Sequence, residues 1–473
     1  MKKRKILTVS VFIIFNLCWY SSIGQFQTTA SFPDARYAHC TAQSSNNNIL
    51  IFGGTIATGA NINSVYEYNP SLNTWTAKAS IPNAAGLSNS TCVKLNNGNV
   101  ILFGGCQNGS NSQSNKIFQY NTTTDTWSIL SDLPNSLGRE RMRSTLINNS
   151  TVLLTGGLSA SSGALNYLTT SYLYNVNTNT FTLAGNLPIG LINHTSTLLP
   201  NGEVLITGGF DGYAARNEAY IFNLQNGWRT VTSTLSLAVS AHSALLLNGK
   251  VYIYGGFSIP LFQYSNKLDV YDPTIDAIIP VNTGPIACSE FAMVPYNSSI
   301  LIAGGNKILP NFTAGVTNES YLYNINNNTF STFSNLPSSR SGMEITELGN
   351  SGKFIFSGGH IELTAPFNDA IIYDATLSTN QNNLLHQIQL YPNPAPSGSY
   401  VSISLEKIPN KVIKAELLSV DGKLTWLLFN SNLAQASESP FQFKLPNVAS
   451  GNYIIQFTGE NGQIFTNKII ITN

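Results

Sequence analysis

The segment from Asn99 to Gly109 reads NVILFGGCQNG, in which four apolar residues end on two adjacent glycines. Glycine doublets close an apolar run at six further places, at intervals of 51, 52, 52, 47, 49 and 54 residues. A motif with so regular a period indicates repeated units that bury their apolar faces against one another. The seven doublets are Gly53-Gly54, Gly104-Gly105, Gly156-Gly157, Gly208-Gly209, Gly255-Gly256, Gly304-Gly305 and Gly358-Gly359.

Each repeat contains further shared residues. An aromatic residue followed by Asn or Asp lies 13 to 18 residues past the doublet, as in Tyr120-Asn121, and five repeats have another aromatic six or seven residues later, as in Trp127. Asn-Gly pairs precede three doublets, and Asn-Gly favours a type I′ hairpin, which needs two positive φ angles. Each unit is therefore predicted to form four short strands. The three pairs are Asn97-Gly98, Asn201-Gly202 and Asn248-Gly249.

The complete unit NVILFGGCQNGSNSQSNKIFQYNTTTDTWSIL (99–130) resembles a kelch repeat, and residues 26–374 resemble a kelch propeller. The resemblance implies an all-β fold with seven blades, each a four-stranded sheet. FQTTASFPDARYAH (26–39) is similar to WTAKASIPNAAGLS (75–88), which spans the end of one unit and the start of the next. We therefore expect residues 25–375 to form a propeller whose N-terminal strand supplies the outer strand of blade seven and removes an open sheet edge.

The N-terminus predicts export. Four basic residues, Lys2 to Lys5, precede an apolar run from Ile6 to about Tyr20, and Ser22-Ile23-Gly24 offers small residues for cleavage. Residues 1–24 are therefore predicted to be a signal peptide, and the mature chain to lack a transmembrane segment. Without the signal the chain has 20 basic against 23 acidic residues. That balance argues against a nucleic-acid partner.

The C-terminal segment predicts a second domain. After a polar linker at 376–386, residues 387–473 alternate apolar and polar residues in short runs, which favours a small β-sandwich. The motifs LYPNPAPSG, VDGKL, ASGNYIIQF and NKIIITN appear there in order, and they resemble the type A C-terminal sorting domain of the type IX secretion system of Bacteroidota. The resemblance implies an address read by the secretion machinery, with the protein released or attached at the cell surface. An ordinary sandwich with a ligand of its own is the alternative.

The cysteines leave pairing open. Cys40, Cys92, Cys106 and Cys288 remain after the signal, and an exported protein meets an oxidising compartment. Their spacings fit neither a CxxC pair nor a zinc ribbon, and no metal or other cofactor is expected. The sequence allows one bridge and does not choose its partners.

Counting back fourteen residues from each doublet, or thirteen in the fifth repeat, gives matched positions on the predicted inner strands. Five of these positions are ionisable, and they fall on adjacent blades: His39, His194, His242, Glu290 and Glu344. One interpretation is an acid/base or metal ring near the channel mouth. The other is packing and hydrogen bonding, for which kelch repeats often use His. A shift of one residue turns these side chains to the other face of the blade.

Arginines form the second candidate cluster, in the loops that enter blades one, three and seven. Arg141 lies within GRERMR (138–143), and an Arg fork there is suited to a carboxylate or an acidic sugar. The alternative is structural, because a kelch consensus Arg occupies much the same place. Tyr37 and other loop aromatics add stacking surfaces. The cluster contains Arg36, Arg139, Arg141, Arg143 and Arg340, and the ligand-binding candidates among them are Arg36, Arg139, Arg141 and Arg340.

The fold itself does not name a function, because propellers carry unrelated activities on their loops. The sequence predicts a secreted or cell-surface binding protein for an extracellular glycan or protein. The alternative is a carbohydrate-active enzyme that resembles galactose oxidase or the kelch sialic-acid mutarotases. Galactose oxidase holds copper through His, Tyr and a Cys–Tyr pair, which no motif of this chain matches, and the mutarotase has six blades. Whether the chain is an enzyme is left open, with binding favoured.

Overall fold

The structure is a computed structural model. The described residues fall into two compact units, one on each side of the Thr376–Leu377 peptide. The predicted signal peptide, the predicted linker and Phe312 lie outside them. The described residues are 26–107, 112–161, 164–259, 261–296, 298–309, 313–349, 352–361, 365–374, 390–403, 412–419, 425–430, 441–459 and 464–473.

The first unit contains seven four-stranded antiparallel sheets, which confirms the predicted all-β, seven-bladed fold. Inner strands of successive blades lie side by side around a channel. From the inner to the outer strand, with strands numbered in chain order, blade 1 has β2 (Cys40–Gln43), β3 (Ile49–Phe52), β4 (Val65–Asn69) and β5 (Thr74–Lys78); blade 2 has β6 (Thr91–Lys94), β7 (Val100–Phe103), β8 (Ile117–Asn121) and β9 (Thr126–Ile129); blade 3 has β10 (Arg143–Asn148), β11 (Thr151–Thr155), β14 (Thr170–Asn175) and β15 (Thr180–Asn186).

The remaining blades repeat this order. Blade 4 has β16 (Thr195–Leu198), β17 (Val204–Thr207), β18 (Ala219–Asn223) and β19 (Gly227–Thr230); blade 5 has β20 (Ser243–Leu247), β21 (Lys250–Tyr254), β24 (Lys267–Asp272) and β25 (Ala277–Thr283); blade 6 has β26 (Ala292–Tyr296), β27 (Ser299–Ala303), β30 (Ser320–Asn324) and β31 (Thr329–Thr332); blade 7 has β32 (Glu344–Glu347), β33 (Lys353–Ser357), β34 (Ala370–Asp374) and β1 (Phe26–Thr28).

Three blades add a hairpin directly after the glycine doublet. These are β12 (Leu158–Ser161) with β13 (Ala164–Tyr167), β22 (Phe257–Ser258) with β23 (Gln263–Tyr264), and β28 (Asn306–Ile308) with β29 (Ala314–Val316). A 3₁₀ turn at Pro134–Ser136 leads into blade 3.

The N-terminal strand completes blade 7. β1 pairs antiparallel with β34, with Phe26 opposite Tyr373. Past the strand, Ala30 accepts a bond from Trp75 Nε1 at 2.8 Å and donates its N–H to Asn73 at 2.9 Å. Ala79 makes the same two contacts with Trp127 and Asp125, both at 2.8 Å. The N-terminus therefore meets blade 1 with the contacts that blade 1 uses on blade 2.

The core lies between the blades. The second strands β3, β7 and β17 are buried at every position, because each packs against neighbouring blades on both faces. This explains their unbroken apolar runs. A disulfide joins Cys40 to Cys92 on the inner strands of blades 1 and 2, and Cys106 and Cys288 are free and buried.

The glycine doublets hold the blades together. The second glycine of each doublet donates its N–H to a carbonyl just before the next blade's inner strand, at 2.7–3.2 Å in all seven cases. A Cβ on the first glycine would lie 2.2–2.8 Å from the same carbonyl, and both glycines have positive φ. Only glycine satisfies both conditions. The accepting carbonyls belong to Leu87, Arg139, Leu191, Val239, Cys288, Arg340 and Arg36.

The predicted turn type holds at one Asn-Gly pair. Asn248 and Gly249 have φ of 50° and 78° and join β20 to β21 directly, as a type I′ turn requires. At Asn97-Gly98 and Asn201-Gly202, only the glycine has positive φ. Their loops, 95–99 and 199–203, have five residues each, so Asn does not need the left-handed conformation.

The second unit is a small β-sandwich. Leu390, Val401 and Phe443 from one sheet share an apolar core with Ile455 and Phe457 from the other. The first sheet contains β35 (Leu390–Tyr391), β37 (Tyr400–Ile403) and β40 (Phe441–Lys444), and the second contains β36 (Ala395–Pro396), β42 (Ile464–Thr472), β41 (Gly451–Gly459), β38 (Val412–Ser419) and β39 (Thr425–Asn430).

Candidate functional site

Three of the predicted arginines lie in the blade walls. Arg36, Arg139 and Arg340 are 0%, 1% and 1% exposed. Each donates Nη1 to the carbonyl of the first glycine of its own blade's doublet, at 2.8, 3.3 and 3.3 Å. Each guanidinium also lies against an aromatic ring, which for Arg340 is Phe367. Leu87, Leu191, Val239 and Cys288 occupy the equivalent position in the other blades and are equally buried. These three guanidiniums are therefore not accessible at the channel mouth.

The three predicted histidines also lie in the walls. A hydrogen bond joins Nε2 of His39 to Ser357 Oγ at 2.8 Å, and Nε2 of His194 and of His242 bond Thr155 and Thr207 Oγ1 at 2.9 Å. Burial lowers the pKa of each imidazole to about 3, so all three are neutral in the folded protein.

A pairing rule explains which blades carry His at this position. We define the wall ring as the residues that directly precede the inner strands: His39, Ser90, Met142, His194, His242, Phe291 and Met343. All of them except Ser90 place a side-chain atom beside the first doublet glycine of the preceding blade. Each His faces a Ser or Thr that immediately precedes the preceding blade's doublet. Where that residue is Phe52, Phe103, Tyr254 or Ala303, the wall residue is Ser, Phe or Met. Hydroxyl and imidazole therefore occur together, as two buried polar groups must.

The residue before each wall position lines the channel mouth. We call these seven residues the belt: Ala38, Asn89, Arg141, Asn193, Ala241, Glu290 and Gly342. All have φ between 50° and 62°. Five of them donate their N–H to the carbonyl of the preceding blade's belt residue, at 2.9–3.1 Å, so the belt links blades around the channel.

Arg141 and Glu290 are the charged belt residues, and both side chains are exposed. A left-handed conformation costs an ordinary L-residue roughly 1–2 kcal/mol, which Gly and Asn largely avoid. Asn89, Asn193 and Gly342 follow that preference, whereas the other four belt residues do not, and two of these four, Arg141 and Glu290, are charged. Backbone strain of this kind concentrates at functional sites.

Glu344 lies two positions further along than Glu290 in the blade register. It pairs with Ser357, the last residue of β33, as Arg143 pairs with Thr155 at the end of β11. The structure thus distributes the five predicted ring residues over three positions: three histidines in the wall ring, Glu290 in the belt and Glu344 on the inner strand. The fixed count of fourteen residues fails in blades 6 and 7, because the hairpin formed by their inner and second strands is one residue shorter in blade 6 and one residue longer in blade 7 than in blade 1.

Two cavities open at the mouth and share Arg141 and Glu290. The aromatic cavity, of about 530 Å³, lies over blades 3 to 5. The channel cavity, of about 620 Å³, runs along the inner strands. The aromatic cavity is lined by Tyr167, Phe210, Phe257 and Tyr264, and the channel cavity by Tyr37, Arg143, Glu344 and His360.

His360 and Phe210 were missed at the sequence level. Both directly follow a glycine doublet and form a β-bridge to the segment that leads into their own blade. His360 meets the ring of Tyr37 edge-on at 5.1 Å. Burial lowers the pKa of His360, and Glu290 opposes that shift. An alignment of the residues that directly follow the doublets would have identified both as candidates at the mouth. These residues are Thr55, Cys106, Leu158, Phe210, Phe257, Asn306 and His360.

The other loop aromatics differ in exposure. Tyr213 and Phe262 are 89% and 73% exposed at the tips of mouth loops. No cluster of three or more His, Cys, Asp or Glu side chains arranged to hold a metal is found in the described ranges. Across the same residues, no helix has the length and apolar character needed to cross a bilayer.

Comparison with protein families gives two matches. Residues 10–259 and 83–307 match the Attractin/LZTR1 β-propeller family, and residues 389–472 match the secretion system C-terminal sorting domain. These matches confirm the predicted kelch-type propeller and the type IX sorting domain. The origin in Bacteroidota stays a prediction.

Individual relatives are more distant. Mouse Kelch-like protein 15 is 21% identical over 238 residues, which are 45% of this chain and 38% of that protein. Rat Kelch domain-containing protein 10 is 27% identical over 225 residues, 44% of this chain and 53% of that protein. A fungal alcohol oxidase of the AA5 family, solved with copper, superposes with a TM-score of 0.59 at 12% identity, covering 95% of this chain and 99% of that one. That similarity shows the fold alone.

Proposed function

This chain belongs to the Attractin/LZTR1 β-propeller family, and from that premise we propose that it is a binding protein whose channel mouth holds an extracellular glycan or protein. The C-terminal sorting domain directs the chain through type IX secretion to the cell surface or the extracellular space. The ligand therefore lies outside the cell.

The belt carries this proposal. Arg141 and Glu290 adopt a conformation that their side chains disfavour, and both reach into the two cavities at the mouth. An exposed Arg fork binds carboxylates through two parallel hydrogen bonds. The adjoining aromatic cavity supplies apolar surface from Tyr167, Phe210 and Phe257. A concave apolar surface with a few placed charges is the usual form of a ligand site.

The test begins with a glycan array and a protein array probed with the purified full chain. The best ligand is then titrated against Arg141→Asn, which places at blade 3 the residue that Asn89 and Asn193 provide at the same φ. Loss of one charged hydrogen bond should weaken binding about tenfold or more. The control is Arg229→Asn, which removes an exposed charge, ion-paired with Glu203 and Asp276, from β19 on the outside of blade 4. Equal affinity in both variants would contradict the proposal.

A carbohydrate-active enzyme is the second candidate, because His360, Tyr37 and Glu290 place proton-transferring groups together at the mouth. The test is to incubate the chain with a panel of aldoses and follow anomer exchange and oxidation by NMR. Turnover that disappears in His360→Asn would favour this candidate over simple binding.

A further inference from the structure

Below the belt, the channel holds two opposite charges at the same depth. Arg143 and Glu344 occupy equivalent positions on the inner strands of blades 3 and 7. Both line the channel cavity of about 620 Å³. The other blades carry no ionised side chain there, since the equivalent residues are disulfide-bonded Cys40, Thr91, Thr195, Ser243 and Ala292.

Arg143 lines the cavity, and the two terminal nitrogens of its guanidinium group are available to a ligand. Its Nε donates to the carbonyl of His194 at 2.9 Å, which fixes the plane of the guanidinium across blades 3 and 4. Its two terminal nitrogens have neither a hydrogen bond nor an ion pair within 4.0 Å among the described residues. The side chain is exposed to the cavity.

Glu344 is the complementary case. Its carboxyl group likewise has no bonded partner in the described part of the chain. Burial raises its pKa to about 7, and Arg143 acts in the opposite direction, so the two groups interact electrostatically without touching. Two opposite charges that face one cavity without bonding each other are both available to a ligand that carries the complementary charges.

We propose that the channel is a second binding site, for a small molecule that carries both a carboxylate and an ammonium group, such as an α-amino acid. The carboxylate accepts from the free nitrogens of Arg143, and the ammonium donates to Glu344. This site is distinct from the mouth: its charges belong to the inner strands, whereas the proposed glycan or protein ligand depends on Arg141 in the belt. The molecule enters through the mouth, where Arg141 and Glu290 line the same cavity.

The experiment is calorimetric titration of the full chain with L-alanine and with its two single-charge fragments, propionate and ethylammonium, at pH 8. Glycerol serves as the neutral polyol control. We expect L-alanine to bind at least tenfold more tightly than either fragment, because it alone satisfies both charges. Glu344→Gln and Arg143→Met should each weaken L-alanine binding tenfold or more.

The controls separate this site from the mouth. Arg229→Asn, on the outside of blade 4, should leave L-alanine binding unchanged. The mouth ligand is tested by Arg141→Asn and L-alanine by Glu344→Gln, so either proposal can fail alone. Arg143→Met also loses the bond to His194, so its thermal unfolding is recorded, and Glu344→Gln decides the matter if Arg143→Met does not fold. Propionate as tight as L-alanine, glycerol as tight as L-alanine, or no effect of Glu344→Gln would overturn the proposal. Undetectable binding of L-alanine at 100 mM would do so too.

Discussion

The wall ring and the belt are adjacent residues in every blade, yet they meet different surroundings. At His194 the side chain is completely buried and its Nε2 bonds Thr155 in the preceding blade. One residue earlier, Asn193 lies at the edge of the open channel with a φ of 52°. The difference teaches that packing selects the wall residue, whereas all seven belt residues share one left-handed backbone conformation whatever their side chain. A charged belt side chain that lines both cavities, such as Arg141, therefore points to function.

We expect the largest loss of stability from substitutions of the doublet glycines, which pack against the wall ring. Gly156 has φ of +61°, and an added Cβ would lie 2.3 Å from the Leu191 carbonyl and 2.8 Å from His194 Cε1. Gly156→Ala should lower the free energy of unfolding by about 2–5 kcal/mol, or prevent folding, because it adds an overlap to the unfavourable φ. Urea denaturation measures the change.

Gly202→Ala is the matched control for that substitution. Gly202 also has positive φ, +82°, but an added Cβ meets nothing within 4 Å. Only the conformational cost remains, about 1–2 kcal/mol. Equal costs for the two variants would show that the wall does not depend on close packing at the doublet.

The next largest effect concerns the buried arginines. Arg139→Ala removes the bonds to the carbonyls of Gly156 and Thr170 and the contact with Tyr172. We expect a loss of about 2–4 kcal/mol in the free energy of unfolding, since buried acceptors lose a charged donor. Arg139→Leu should lose less, because Leu191 fills the same position in blade 4. A lower melting temperature for Arg139→Leu than for Arg139→Ala would exclude a role for the Arg139 side chain in packing between the blades.

The histidines predict how wall stability depends on pH. The pKa of His194 is about 3 in the folded chain against 6.5 for an ordinary His, so the unfolded state binds the proton first as the pH falls. Stability should therefore be complete above about pH 6.5 and decline towards pH 3. His194→Met should make the free energy of unfolding fall less steeply with pH, because one histidine no longer takes up a proton on unfolding. Urea denaturation at pH 4, 5 and 7 measures this difference. His39 and His242 should behave alike.

The same variant should cost about 1–3 kcal/mol at pH 7, because the Thr155 hydroxyl loses its partner. The double variant Thr155→Val/His194→Met should recover part of that loss, since apolar residues occupy both positions where blade 2 meets blade 3. A double variant less stable than His194→Met would refute the pairing rule.

The smallest effect on stability belongs to the belt. Arg141→Asn should leave the melting temperature unchanged or raise stability by about 1 kcal/mol, because Asn tolerates left-handed φ better than Arg. The reverse change, Asn193→Arg, should lower stability by a similar amount. Differential scanning calorimetry of the pair tests this, and a marked loss in Arg141→Asn would mean that Arg141 supports the fold.

Much of the architecture was readable from the residues. The doublet spacing gave seven blades, and the similarity of residues 26–39 to 75–88 matches the pairing of β1 with β34. The positions of the candidate site residues were harder to predict. Arg36 and Arg141 were grouped together as loop arginines, although one is fully buried and the other exposed. Glu290 and Glu344 shared one expected register but lie on different parts of the channel.

The sequence by itself determined the repeat, the strand order within each repeat and the sorting domain, because these depend on local patterns of glycine, apolar residues and turns. Only the tertiary structure decided which side chains face the channel. Successive side chains of a strand point to opposite faces. A loop that is one residue longer or shorter therefore turns a side chain from the buried face between blades to the open channel. Tyr37 meets His360, and Arg143 faces the same cavity as Glu344, because the ring closes and closure brings together blades whose residues lie far apart in the chain.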